Sequence, residues 1–161
     1  MNVRKVSILS IFVACAFAVN YIESFVHLPI PCIHLGFANI FPLAALMLFG
    51  GKEAVLVAFT RLVLSYLLTG NVLAFSCSLS GTVCSLLIEY IFFVWLKMTS
   101  PVLLSLAGAF CFNLGQLVVM YFLLTSAKIF LIAPAIFLIG IVTGIAVGLF
   151  TGKVLKICRR P

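Results

Sequence analysis

Apolar residues fall into six blocks along the chain, near 6–26, 36–49, 53–69, 72–96, 101–125 and 129–152, and each block reads as a helix. The breaks GGK, GN, KMTS and SAK are short enough that each helix lies antiparallel to the next. Only residues 27–35 form a connection with room for a shape of its own. The second block is about 14 residues, or roughly 21 Å as a helix, too short to cross a bilayer unaided. It also carries Pro42 early. Either this helix starts below the membrane surface or part of the preceding loop dips in.

Composition turns six apolar helices into a membrane assignment. The chain has 161 residues, 65% hydrophobic and only 8% charged, against about 25% charged in a soluble domain. The expected fold is all-α, a single transmembrane domain over residues 1–161 built as an integral membrane bundle of six transmembrane helices. The start, MNVRKVSILSIFVACAFAVNY, has the basic end and apolar run of a signal peptide. The run is long, however, and cleavage would remove a crossing, so it reads as a retained helix. Six crossings leave no room within these residues for a soluble catalytic domain.

The formal net charge of +7 is distributed as a topology signal. Arg4, Lys5, Lys52, Lys97, Lys153, Lys156, Arg159 and Arg160 fall on one side, Lys128 on the other, and Arg61 within a helix. Both termini are therefore expected to be cytoplasmic and the 27–35 loop external. The basic residues sit at helix ends and lack the clustered face that nucleic acid requires, so nucleic acid is not an expected partner. The six cysteines contain no CxxC pair, and neither a disulfide framework nor a metal site is indicated.

Polar residues concentrate where the first helix leaves the membrane. Residues 21–39, YIESFVHLPIPCIHLGFAN, hold one carboxylate, both histidines, two prolines and an amide. Asn20, Glu23, His34, Asn39 and Asn71, with Asn113 and Gln116 deeper in the fifth helix, are candidates to converge on one ligand cavity. The competing reading for each is a helix cap or an interfacial water site. Tyr21, Phe25, Phe37 and Phe75 are candidate apolar walls. Pro29 and Pro31 suit a lid of limited freedom.

Arg61 and Glu89 lie inside the third and fourth helices at similar depth. An isolated charge near mid-membrane costs about 2.5–3.5 kcal/mol on insertion scales, so each is expected to face the interior and find a partner. A structural ion pair between them is one reading; substrate binding by Arg61 or coupling to another subunit are the others. Two stripes of small residues recur at four-residue spacing: Ser10, Ala14 and Ala18 in the first helix, and Gly140, Gly144, Gly148 and Gly152 in the last. Such faces let backbones approach closely in lipid, within one chain or against a partner.

What is missing excludes two classes of chemistry. The chain has no Asp, and its three Glu are scattered at 23, 53 and 89, so no carboxylate cluster holds Mg²⁺ for reaction of a diphosphate. No Gly-rich phosphate loop ends in Lys followed by Ser or Thr. No resident cofactor is expected, the chain does not read as an enzyme, and any pumping must be powered by a partner.

The run YIES, followed by LPIPCIHLGFANIFPLAALMLFGGKEAVLVAFTRLVLSYLLTGN, resembles the membrane family called Gx transporters, also labelled heptaprenyl diphosphate synthase component I. The likeness extends over nearly the whole chain. Its most specific parts are the Pro-containing loop leading into HLGFAN, then GGKEA, an Arg in the third helix and the GN turn. Where the family shows a basic residue and Leu in a KLGLAN-like run, this chain has His34 and Phe37. The Gx group is in turn similar to the S components of energy-coupling factor transporters, compact six-helix proteins that capture vitamins and related micronutrients from outside. That resemblance implies a multi-pass protein of a prokaryotic plasma membrane with a small-molecule substrate. It also implies a membrane coupling subunit, contacted by an AxxxA motif in the first helix that Ala14 and Ala18 match, and a pair of cytoplasmic ATPases. The family's second label implies an alternative, a noncatalytic membrane component associated with prenyl diphosphate synthesis. A catalytic prenyl synthase needs paired acidic clusters, which are missing here.

Overall fold

The computed structural model describes residues 3–25, 35–124 and 131–158, and among them all regular structure is helical. Helix α1 (Val3–Phe25) is followed by a 3-10 turn (Phe37–Asn39) that runs directly into α2 (Ile40–Phe49). Then come α3 (Gly51–Thr69), α4 (Val72–Val94), α5 (Pro101–Leu124) and α6 (Ala133–Cys158). Helices α1, α4, α5 and α6 are long and apolar enough to cross a membrane. Helix α3 is long enough too, but every 18-residue stretch of it contains Lys52, Glu53 and Arg61.

Helix α2, with 10 residues, is the centre of the bundle. Its sequence IFPLAALMLF is apolar on every side, the pattern of a helix surrounded by protein. Leu43, Ala44 and Ala45 are fully buried. They pack with Leu9 and Phe12 of α1, Ala54 and Val57 of α3, Leu104 of α5 and Leu155 of α6 in one cluster. Pro42 falls within the first turn of α2, where its missing N–H costs no helical bond. The helix thus begins inside the molecule. At its other end Gly50, with φ of 110°, makes the tight turn into α3 in a conformation side chains rarely adopt.

Close backbone approach joins α5 to α6. A Cβ on Gly148 would lie 2.5 Å from Val102 Cα, and one on Gly144 would lie 3.1 Å from Ala109 Cβ. The glycine stripe of α6 is therefore packing within the chain. The stripe of α1 behaves differently: Leu9, Phe12, Ala16 and Asn20 face inward, while Ser10, Ala14 and Ala18 are exposed.

Helix α6 continues to Cys158, beyond the expected end at 152. Gly152 is not a stop, because Leu155 one turn later is buried in the central cluster and Val154 and Cys158 pack against it. Helix α4 ends slightly early, at Val94. At the shared end of α1 and α3 the Lys5 ammonium pairs with the Glu53 carboxylate, and Lys5 also lies over the Phe49 ring.

Candidate functional site

A helix that starts inside a protein leaves its first backbone N–H groups without water to bond. Gly36 opens the 3-10 turn in a left-handed conformation, φ 84°, against the Phe112 ring. This aims successive amides at the end of α1. Glu23 Oε1 accepts from the Phe37 N–H at 2.6 Å, and the amides of Gly36 and Ala38 also bond this carboxylate. A carboxylate at a helix N-terminus is favoured by both the free donors and the helix dipole. Glu23 Oε2 is buried and has no hydrogen-bond partner among the described residues.

Arg61 holds the same helix start from the α3 side. It is 3% exposed, and its Nη2 donates to Asn39 Oδ1 at 2.6 Å and to Thr82 Oγ1 at 3.0 Å. Helices α3 and α4 are thereby tied to the beginning of α2. Of the readings open for these charges, a direct hydrogen-bonded pair with Glu89 is not among the described contacts of Arg61. Glu89 lies two turns further along α4 from Thr82, about 10 Å away, and takes its hydrogen bond from Ser85 Oγ at 3.0 Å. Arg61 interacts electrostatically with both Glu23 and Glu89, while its Nε remains buried and unpartnered.

The other sequence candidates separate into groups. Asn20 is buried and donates to Ser65 Oγ at 2.8 Å, joining α1 to α3 beside the Glu23 turn. Gln116 is 1% exposed, and neither its oxygen nor its nitrogen has a partner. Asn113, one turn earlier on α5, is instead used up, donating to the Ile136 carbonyl at 3.1 Å. Asn71 does not join the cluster: it is exposed at the far end of α4 and caps that helix by accepting from the Ala74 N–H at 3.1 Å. An Asn preceding a helix serves its own turn before any distant ligand. His34, with Pro29 and Pro31, lies outside the described residues. Tyr66 and Phe75 pack ring to ring at 5.0 Å, so Phe75 is engaged with α3.

Sequence reasoning missed Ser65, Thr82, Ser85 and the amides of residues 36–38. The signal for Thr82 and Ser85 was the polar run Ser76, Ser78, Ser80, Thr82, Ser85 within an otherwise apolar helix; the amides have no side-chain signal. A small interior void lined by Asn39, Glu89, Ser105, Asn113 and Thr143 lies between the 3-10 turn, α4, α5 and α6. A larger groove of about 670 Å³ opens between α3 and α4, its wall apolar through Val55, Phe59, Val83 and Leu87, with Lys52 and Tyr90 at one end.

Long apolar helices enclosing buried polar and charged side chains define a multi-pass, all-helical membrane protein. The chain belongs to the family described as heptaprenyl diphosphate synthase component I, whose model matches residues 12–154. No curated protein and no solved structure matches it.

Proposed function

We propose that this chain is the substrate-capturing membrane subunit of an energy-coupling factor type transporter, taking up a small vitamin-like or cofactor-precursor molecule with energy from partner ATPases. The observation that carries the reading is the outward face of α1. Of two small-residue stripes, that of α6 is consumed by packing on α5, while Ser10, Ala14 and Ala18 face away from the bundle. Small residues left uncovered on a membrane helix suit close approach by a second membrane protein. Asn20 and Glu23 lie on the inward side of the same helix, so α1 links the polar cluster to that face.

In this reading all six helices cross or enter the plasma membrane, both termini are cytoplasmic, and the α2 start with Glu23, Asn20, Asn39 and Gln116 faces the outside. Membrane transporters use buried starts of short helices in this way, because free backbone donors and acceptors gather there. Outer residues 23–39, of which 26–34 with His34 lie outside the described residues, are proposed to close over the ligand, and motion of α1 passes occupancy to the coupling subunit. Asn71 leaves the ligand set because it caps α4. The test is isolation of the tagged full-length chain from its own membranes, with subunits identified by sequencing. Recovery of an integral membrane protein and two chains with a nucleotide-binding Gly-rich loop supports the reading; isolation of the chain alone in mild detergent counts against it.

A second reading is favoured by the α3–α4 groove. Its apolar wall ending at Lys52 and Tyr90 suits a long hydrocarbon chain with an anionic head, as a noncatalytic partner of prenyl diphosphate synthesis would hold. Copurification with a soluble synthase rich in paired aspartates, in place of ATPases, selects this reading.

A further inference from the structure

Among the described residues, Gln116 is the largest polar side chain that is both fully enclosed and without a hydrogen-bond partner. It sits at 1% exposure on α5, one turn beyond Phe112 on the same face, and Phe112 lies against Gly36 at the start of α2. A carboxamide has two donor and two acceptor positions, and here neither Nε2 nor Oε1 meets a partner. Neighbouring Asn113 has the same chemistry and a bond to the Ile136 carbonyl. A residue kept only for packing at position 116 would do better as an apolar side chain of similar size, since a buried amide without bonds destabilises the fold. Glu23 Oε2 repeats the pattern at the other side of the Gly36–Phe37 segment, one oxygen bonded and one left open.

We infer that Gln116 is a ligand-reading group, and that its ligand is a small ring presenting an N–H donor directly beside an acceptor, as in a lactam, an imide or an amino-substituted heterocycle. This deepens the proposed function and rests on it. The geometry of the carboxamide selects the class. Its C=O and NH₂ point in the same direction, so they pair side by side only with an edge that offers donor and acceptor together, as Gln does with a purine edge. A trans amide turns its N–H and C=O to opposite sides and satisfies one half of Gln116 at most. A purely hydrocarbon ligand satisfies neither half.

The experiment is thermal unfolding of the full-length protein in lipid nanodiscs, wild type against Gln116→Leu, with uracil as the smallest imide probe and 1,3-dimethyluracil as a probe of the same ring without N–H. Uracil raises the wild-type Tm and 1,3-dimethyluracil does not. Gln116→Leu unfolds about 4 °C higher than wild type without any probe, because a buried unbonded amide is gone, and it ignores uracil. A lower Tm for Gln116→Leu, no response of wild type to uracil, or equal responses to the two probes overturns the inference. Recovery of ATPases with the chain does not depend on Gln116. ATPase recovery without a uracil response therefore removes this inference alone, and a uracil response without ATPases removes the transport reading alone.

Discussion

Glu23 and Arg61 meet at a point where the backbone itself is short of partners, and this decides what their substitution does. Glu23→Ala strips the acceptor from the Phe37 N–H and leaves Arg61 without one of its two carboxylates. The expected loss is about 1–3 kcal/mol, read as a lower Tm in detergent, with Glu23→Gln milder because an amide oxygen still accepts from Phe37. Arg61→Ala removes the charged centre of a buried network that spans Asn39 and Thr82, at a cost of about 3–5 kcal/mol, and sharply lowers the yield of monodisperse protein. Glu89→Gln separates two accounts of the same residues. Glu89 bonds Ser85 and not Arg61, so its neutral variant should fold at near wild-type yield. A defect as large as that of Arg61→Ala would restore the direct ion pair. The charges were legible in the sequence as buried and needing partners, but their partners were not. Choosing Asn39 and Thr82 over Glu89 required knowing that α2 starts beside Arg61.

Helix by helix, each apolar block overlaps a helix among the described residues, four of them long and apolar enough to cross a membrane, because lipid-facing and core-facing positions are both apolar and only short polar breaks remain. Ends were less legible, as α6 illustrates: its continuation past Gly152 depends on Leu155 finding the central cluster. The two small-residue stripes carried the same sequence signature and have opposite placements, because periodicity gives a face but not the neighbour it meets. Substitution separates them. Gly148→Leu places a side chain where even a Cβ would come within 2.5 Å of Val102, so α5 and α6 must part and the folded yield must fall. Ala14→Leu adds bulk to an exposed position and leaves yield and Tm within about 0.5 kcal/mol of wild type. Equal damage from both would mean that the α1 face is covered within the chain.

Across the whole molecule, one short central helix organises the rest. Its apolar body fills the core, and its start draws in Glu23 from α1 and, through Asn39, Arg61 from α3 together with Thr82 from α4. That convergence was partly visible in the sequence as a polar segment around residues 21–39, while Asn71, equally polar, serves only its own helix. The account joins this cluster to the exposed face of α1 as two sides of one helix, recognition inside and coupling outside. Its most direct test is affinity isolation of wild-type chain and of an Ala14→Trp, Ala18→Trp double variant from native membranes, with bound subunits sequenced and folding checked by Tm. The account predicts that wild type brings down a membrane coupling subunit and two ATPases, and that the variant folds normally but loses all three. Retention of those subunits by the well-folded variant, or their absence from wild type, would contradict it.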